Sequence, residues 1–200
     1  MEEKVSVEIR ELEDKLKSLK ADEWMKFYDH LKESQRLTFD FLINTGSRIN
    51  EARHVKVSDI DFVNKRVILR VTKVKAKKGE KHPRPRTISF STQFGKRLKK
   101  YIIKKSSEDY IGILSTPAAN IAMKNHLIKV NIKDYYMFSI HNIRKTHGNW
   151  LKALGVDGGE ICTRLGHDYN TFLKSYGSPD IFSFEEKSQM RMIIGDLYQR

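Results

Sequence analysis

The chain has 200 residues, 39% hydrophobic and 10% aromatic, which is enough to fill one core and too short for several independent domains. Its 38 Lys and Arg against 25 Asp and Glu leave a formal charge of +13 and a pI near 9.7, so a polyanionic partner, nucleic acid first, is expected. A single cysteine, Cys162, excludes an intramolecular disulfide framework and a Cys-pair zinc site. No apolar run approaches the ~18 residues of a membrane span, and the acidic start MEEK is unlike a signal peptide, so a soluble, cytoplasmic protein is expected.

Val5, Ile9, Leu12, Leu16 and Leu19 recur at spacings of 4, 3, 4 and 3. They predict a charged heptad-type helix over residues 1–21, suited to packing on the body of the protein or to pairing with a second copy. A second helical run is expected from Asp22 to Thr45, with Trp24, Phe27, Tyr28, Leu31, Leu37, Phe41 and Leu42 inward and Gly46 as its stop. Ser47 reads as the N-cap of a helix to about Val55, which places Arg48 at a helix start where its amide and side chain can both face a phosphate.

Asp59 to Phe62, Arg66 to Thr72 and Thr87 to Phe90 read as short strands with a turn at Asn64-Lys65. Lys73 to Arg86, with Gly79, Pro83 and Pro85, reads as a long basic hairpin tip. Charge concentrates there: residues 65–86 hold ten Lys/Arg and one acid, Glu80, a net of +9, whereas residues 1–20 hold five bases and six acids. Lys75, Lys77, Lys78, Lys81, Arg84 and Arg86 are therefore expected to face DNA.

Thr92 to Lys105 is an amphipathic helix with a lysine-rich outer face. A short strand is expected at Ile111 to Leu114, then a helix from Pro117 to Val130, one capped by Ser139 and ending at Gly155, and smaller pieces at Gly159–Leu165 and Thr171–Ser175. The main domain is expected to span residues 22–182. Residues 183–200, with Met190, Met192, Ile193, Ile194 and Leu197, form an amphipathic helix fit either to fold back or to be exchanged with a neighbouring subunit.

Three stretches carry chemistry: TGSRINEA around Arg48, HNIRKTHGNW from His141, and LGHDYNTFLKSY from Leu165. His141 and Arg144 differ by 3, Arg144 and His167 by 23, and His167 and Tyr176 by 9. In-line attack on a phosphodiester loads charge onto the non-bridging oxygens, which planar guanidiniums can hold by paired hydrogen bonds, so Arg48 and Arg144 are the candidate clamp. Tyr176 is the candidate nucleophile; a free phenol has a pKa near 10 and needs a cationic pocket and a base. His141 is the candidate for general acid and base work, since an unperturbed imidazole titrates near neutrality, and His167 is suited to donating a hydrogen bond to the phosphate. His147, six after His141, reads as packing or capping. No ligand pair of the H-E-x-x-H or C-x-x-C form is present, and no metal site is expected.

In order and spacing these boxes resemble the TG-x-R-x-x-E, H-x-x-R-(K/H)-T and LGH-to-tyrosine motifs of the tyrosine recombinases, the phage integrase family that includes the Xer-type enzymes. The resemblance implies that family's catalytic-domain fold, mainly α with a small three-stranded antiparallel sheet. It implies a site-specific recombinase or integrase, as mobile elements use, that cleaves and rejoins duplex DNA through a 3′-phosphotyrosyl intermediate, with no metal, ATP or other cofactor, as a dimer or tetramer on DNA. It assigns protonation of the leaving 5′-oxygen to a lysine on the hairpin between the second and third strands, Lys73 as the best match with Lys75 as the alternative, and a supporting role beside the clamp to Glu51. The family's separate helical DNA-binding domain has no match in these residues; a catalytic domain acting alone, a fragment of a longer protein, and substitution by the heptad helix and hairpin are the three readings. A type IB topoisomerase uses a similar residue set, and a non-catalytic DNA-binding relative of a recombinase would keep the same boxes.

Overall fold

A computed structural model of the chain describes residues 18–70, 85–176 and 182–198. The heptad positions Val5 to Leu16 lie outside them, while Leu19 is fully buried, its N–H on Thr146 Oγ1 at 3.0 Å and its carbonyl receiving Trp150 Nε1 at 3.1 Å.

The described helices are α1 (Ala21–Asp29), α2 (Glu33–Thr45), α3 (Ile49–Arg53), α4 (Thr92–Ile102), α5 (Thr116–Lys129), α6 (Ile140–Ala153), α7 (Gly158–Leu165), α8 (Tyr169–Tyr176) and α9 (Phe184–Ile194). Between α3 and α4 the chain forms a small sheet of β1 (Ile60–Asp61), β2 (Arg66–Leu69) and β3 (Arg86–Ser89). The mainly helical fold with a three-stranded antiparallel sheet agrees with expectation. β2 and β3 pair from Arg66↔Ser89 to Leu69↔Arg86. Their period of two puts Val67, Leu69, Ile88 and the following Phe90 inward, all nearly or fully buried. Asp61 closes the β1–β2 turn by accepting the N–H groups of Val63 and Asn64 at 3.0 and 2.9 Å.

α2 is the central helix: every residue from Leu37 to Thr45 is buried. Asp40, Thr38 and Thr45 on it are paired, as burial demands. Asp40 takes a two-pronged bond from Arg97 of α4 at 2.7 and 2.9 Å, and Thr45 Oγ1 donates to Phe41 O at 2.7 Å.

Three sequence expectations shift. The run expected over Asp22 to Thr45 is two helices: the His30 ring bonds Lys26 O at 2.8 Å and Leu31 N–H bonds Tyr28 O at 3.1 Å, which turns Leu31 into the core before Lys32 restarts the helix with extended backbone. The N-cap expected at Ser47 is Arg48, because Ser47 is buried with its hydroxyl on Thr45 Oγ1 at 2.9 Å. Ile111 to Leu114 is not a strand; Ile111 N–H bonds Val55 O at 3.0 Å and Leu114 N–H bonds Thr38 Oγ1 at 2.9 Å, so side-chain and loop partners replace a ladder.

α9 packs on α1 within the same chain and buries Met190 and Ile194, and Asp196 just beyond it accepts the N–H of Thr92 at the start of α4 at 2.7 Å. Among the described residues, no helix is long and apolar enough to cross a membrane.

Candidate active site

Two helix ends build the centre of the site. α2 closes on Gly46 at φ 62° and α7 on Gly166 at φ 62°, both in the left-handed conformation that glycine adopts without strain. A side chain at either would also collide, with the His147 ring at Gly46 and with the Arg86 guanidinium at Gly166. Arg144, from the second turn of α6 and only 2% exposed, spans the two ends. Its Nη1 donates to Gly46 O at 2.7 Å and its Nη2 to Leu165 O. The carbonyl ends of two helices thus stabilise a buried cation that would otherwise be costly. Arg144 Nη2 also donates to His167 Nε2 at 3.1 Å.

That bond makes Nε2 of His167 an acceptor. Burial, then the charges of Arg144, Arg48, His141 and Arg86, push the imidazole down from 6.5 to about 4, so it is neutral at pH 7. His141, the second residue of α6, is exposed and close enough to act on His167 electrostatically.

Arg48 stands at the N-terminus of α3 with its side chain 22% exposed. Glu51, one turn on and buried, accepts the Arg48 backbone N–H on Oε2 at 2.8 Å and the Arg48 guanidinium on Oε1 at 3.0 Å. The other side of this carboxylate takes Arg86: Nη2 to Oε2 is 2.7 Å. Arg86, grouped by sequence with the hairpin bases, thus turns inward and is 12% exposed. Burial, against the pull of Glu51 and with the push of Arg48, draws its guanidinium below the ordinary value.

The structure therefore brings together Arg48, Glu51, Arg86, Arg144, His141 and His167. α8 packs on α6 and α7 and ends on Tyr176, which is placed by its backbone alone. Lys73, Lys75, Lys77, Lys78, Lys81 and Arg84 lie outside the described residues.

Behind this cluster, His147 is fully buried. Its Nδ1–H donates to Ile43 O at 2.6 Å and its Nε2 accepts from Arg164 Nε at 2.9 Å, while burial first, then Arg164, hold it well below its ordinary value and neutral. Arg164 also reaches Asn44 O at 2.7 Å. His147 and Arg164 fasten the end of α2 that presents Gly46. Sequence reasoning assigned Arg164 no role and missed that Arg86 is inward. The signal for Arg86 was present: it precedes Ile88 and Phe90 by two and four residues, so strand alternation puts it on their buried face. Among the described residues, no three His, Cys, Asp or Glu side chains gather as a metal site would require.

The fold is similar to that of solved recombinases. The XerA recombinase structure superposes with a TM-score of 0.65 at 18% identity, covering 88% of this chain and 64% of its own. The Tn1549 transposon integrase in complex with transposon right end DNA gives 0.65 at 15%, covering 88% and 64%. XerH bound to its difH substrate gives 0.60 at 17%, covering 84% and 50%. The chain thus spans less than two-thirds of the length of each. No curated protein matches it. The profile of the phage integrase family matches residues 17–180, a stretch that contains every box of the site, and the chain belongs to that family.

Proposed function

We propose that the chain is a site-specific tyrosine recombinase that cuts and rejoins duplex DNA. The observation that carries this reading is the convergence of Arg48, Arg144 and a neutral His167 from three separate stretches of sequence, together with α8, which ends on Tyr176, packed on α6 and α7. Two guanidiniums can hold the non-bridging oxygens of one phosphodiester and strengthen their grip as charge builds in the transition state. The Tyr176 phenolate oxygen bonds to phosphorus, the bond from phosphorus to the 5′-oxygen breaks, and that oxygen takes a proton from Lys73 or Lys75. His141 is the candidate to accept the phenol proton. A 3′-phosphotyrosyl ester and a free 5′-hydroxyl result, and the reverse attack reseals a strand. One ester replaces another, so the bond energy is kept and no ATP is required, and the two guanidiniums supply the charge stabilisation that a metal ion would otherwise give. Duplex DNA is the partner supported by the XerH complex with difH and the Tn1549 integrase complex with transposon-end DNA, and exchange of strands between two duplexes calls for a dimer or tetramer on DNA.

The test is a covalent complex on a denaturing gel after incubation with nicked, labelled duplexes carrying candidate sites. A band lost in Tyr176→Phe is expected. Salt-sensitive binding to every duplex with no band for the wild-type chain would overturn the enzymatic reading in favour of simple DNA binding.

A further inference from the structure

Glu51 is a carboxylate shared between two arginines. Oε1 faces Arg48 at 3.0 Å and Oε2 faces Arg86 at 2.7 Å. Without Arg86, the buried Glu51 would have one charge partner in the clamp, and Arg48 with Glu51 would sum to zero. With Arg86 the three groups sum to +1, and Arg48 keeps a field for a phosphate. Arg86 also lies flat on the turn from Leu165 to His167, so closely that a side chain at Gly166 would strike its Nη1. It is the partner of Leu69 in the last described pair of β2 and β3, at the C-terminal root of the segment that holds the lysine candidates. Its Nε is buried with no hydrogen-bond partner among the described residues; a group left so is costly, and the position of the guanidinium is being held by its other contacts.

We propose that Arg86 is a positioning residue of this site: it takes one oxygen of Glu51 so that the carboxylate orients Arg48 without neutralising it, and it fixes the root of β3 against the Leu165–His167 turn. It acts through Glu51 rather than on DNA. The assignment rests on the recombinase reading for its role in cleavage, and on the three-residue geometry alone for its effect on the clamp.

Two measurements on the full chain separate these. In the first, inorganic phosphate is titrated and the His167 imidazole is followed by NMR. Arg86→Gln should weaken phosphate binding about tenfold, the step expected for loss of one charge-assisted interaction, and Arg86→Lys should recover part of it. In a Glu51→Gln background, Arg86→Gln should have little further effect. An equal loss in that background would mean direct contact with the anion and overturn the proposal, as would no loss in either background, or no phosphate binding by the wild-type cluster. In the second, single-turnover formation of the covalent complex should fall roughly 100-fold in Arg86→Gln, the scale of a displaced catalytic group, with duplex affinity lowered by no more than the roughly tenfold lost in the clamp and its salt slope unchanged. A slope smaller by about 0.9 would reveal a lost phosphate contact and sink the proposal. Should Arg86→Gln melt below the assay temperature, Arg86→Lys, which keeps the charge but not the fork, is read in both arms with an intermediate loss. A wild-type chain that forms no covalent complex would remove the recombinase reading, and the phosphate titration would still decide the role of Arg86.

Discussion

Among the described residues stand two histidine–arginine pairs of the same chemistry, each taking one member from α6 and one from α7 or the turn after it. In one, Arg164 donates to His147 Nε2 at 2.9 Å and reaches Asn44 O at 2.7 Å. In the other, Arg144 donates to His167 Nε2 at 3.1 Å and reaches Gly46 O at 2.7 Å. Both imidazoles are neutral, and both arginines hold carbonyls at the end of α2. The difference is access: the first pair is closed by the Ile43 carbonyl on the other ring nitrogen and lies within the core, while His167 is half-buried beside exposed His141 and partly exposed Arg48. The inner pair has no face left for a ligand, so its work is to hold the outer one in place.

Substitutions should therefore separate the pairs by what they damage. The largest effect is expected for Arg144→Gln, which should cut covalent-complex formation by about 1,000-fold, the upper range for one transition-state donor, and the loss should persist at a temperature where the variant is fully folded. His167→Gln should cost roughly 100-fold with the thermal midpoint within a few degrees of wild type. Arg164→Gln should behave oppositely. It leaves the Asn44 carbonyl and the His147 Nε2 unpaired in the core, about 1–3 kcal/mol each, and for a chain of this size a loss of ~3 kcal/mol lowers the midpoint by about 6–12 °C. Its cleavage rate per folded molecule should stay within about threefold of wild type. If Arg164→Gln slows cleavage as much as Arg144→Gln at full folding, the two pairs are a single catalytic unit and the division fails.

The sequence made the outer pair visible and hid the inner one for a physical reason. Arg144 and His167 sit in boxes recognisable by their order and spacing, and the glycines of TG and LGH are there because two helices must end in left-handed turns against packed side chains. Arg164 carries no such mark, since any residue able to reach Asn44 O and His147 across the core would do, and which residue reaches is decided by tertiary packing. Arg86 was obscured by its neighbours: ten bases between residues 65 and 86 make a charge patch, and charge alone does not distinguish a base that faces solvent from one that faces a buried carboxylate. The break at His30 to Lys32 was hidden because helical periodicity on either side runs nearly in phase, so Leu31 reads as one more inward position. The mainly helical fold and the small sheet were legible because amphipathic helices and short alternating strands have different periods.

The smallest expected effect is in pH dependence, and it tests the comparison without impairing the site. His167 is held at about 4 against 6.5 for an ordinary imidazole, and His147 is lowered in the same direction. A histidine whose folded value is depressed binds fewer protons folded than unfolded, so its contribution to stability is present above about 6.5 and lost as pH falls toward the folded value. Denaturation at fixed temperature should show stability falling between about pH 6.5 and pH 4. His147→Gln should flatten that fall more than His167→Gln, because His167 is half exposed and solvent screening reduces its share to about 1 kcal/mol. DNA should reverse the order. A phosphodiester anion beside His167 opposes the arginines that depress it, so binding should take up a fraction of a proton near pH 5.5 and tighten as pH falls from 6.5 toward 5. Calorimetry in two buffers of different ionisation enthalpy reads that uptake. It should fall in His167→Gln, vanish when His141→Gln is added to that variant, and survive in His147→Gln, because of the two arginine-paired imidazoles only the outer one has an edge that the anion can approach.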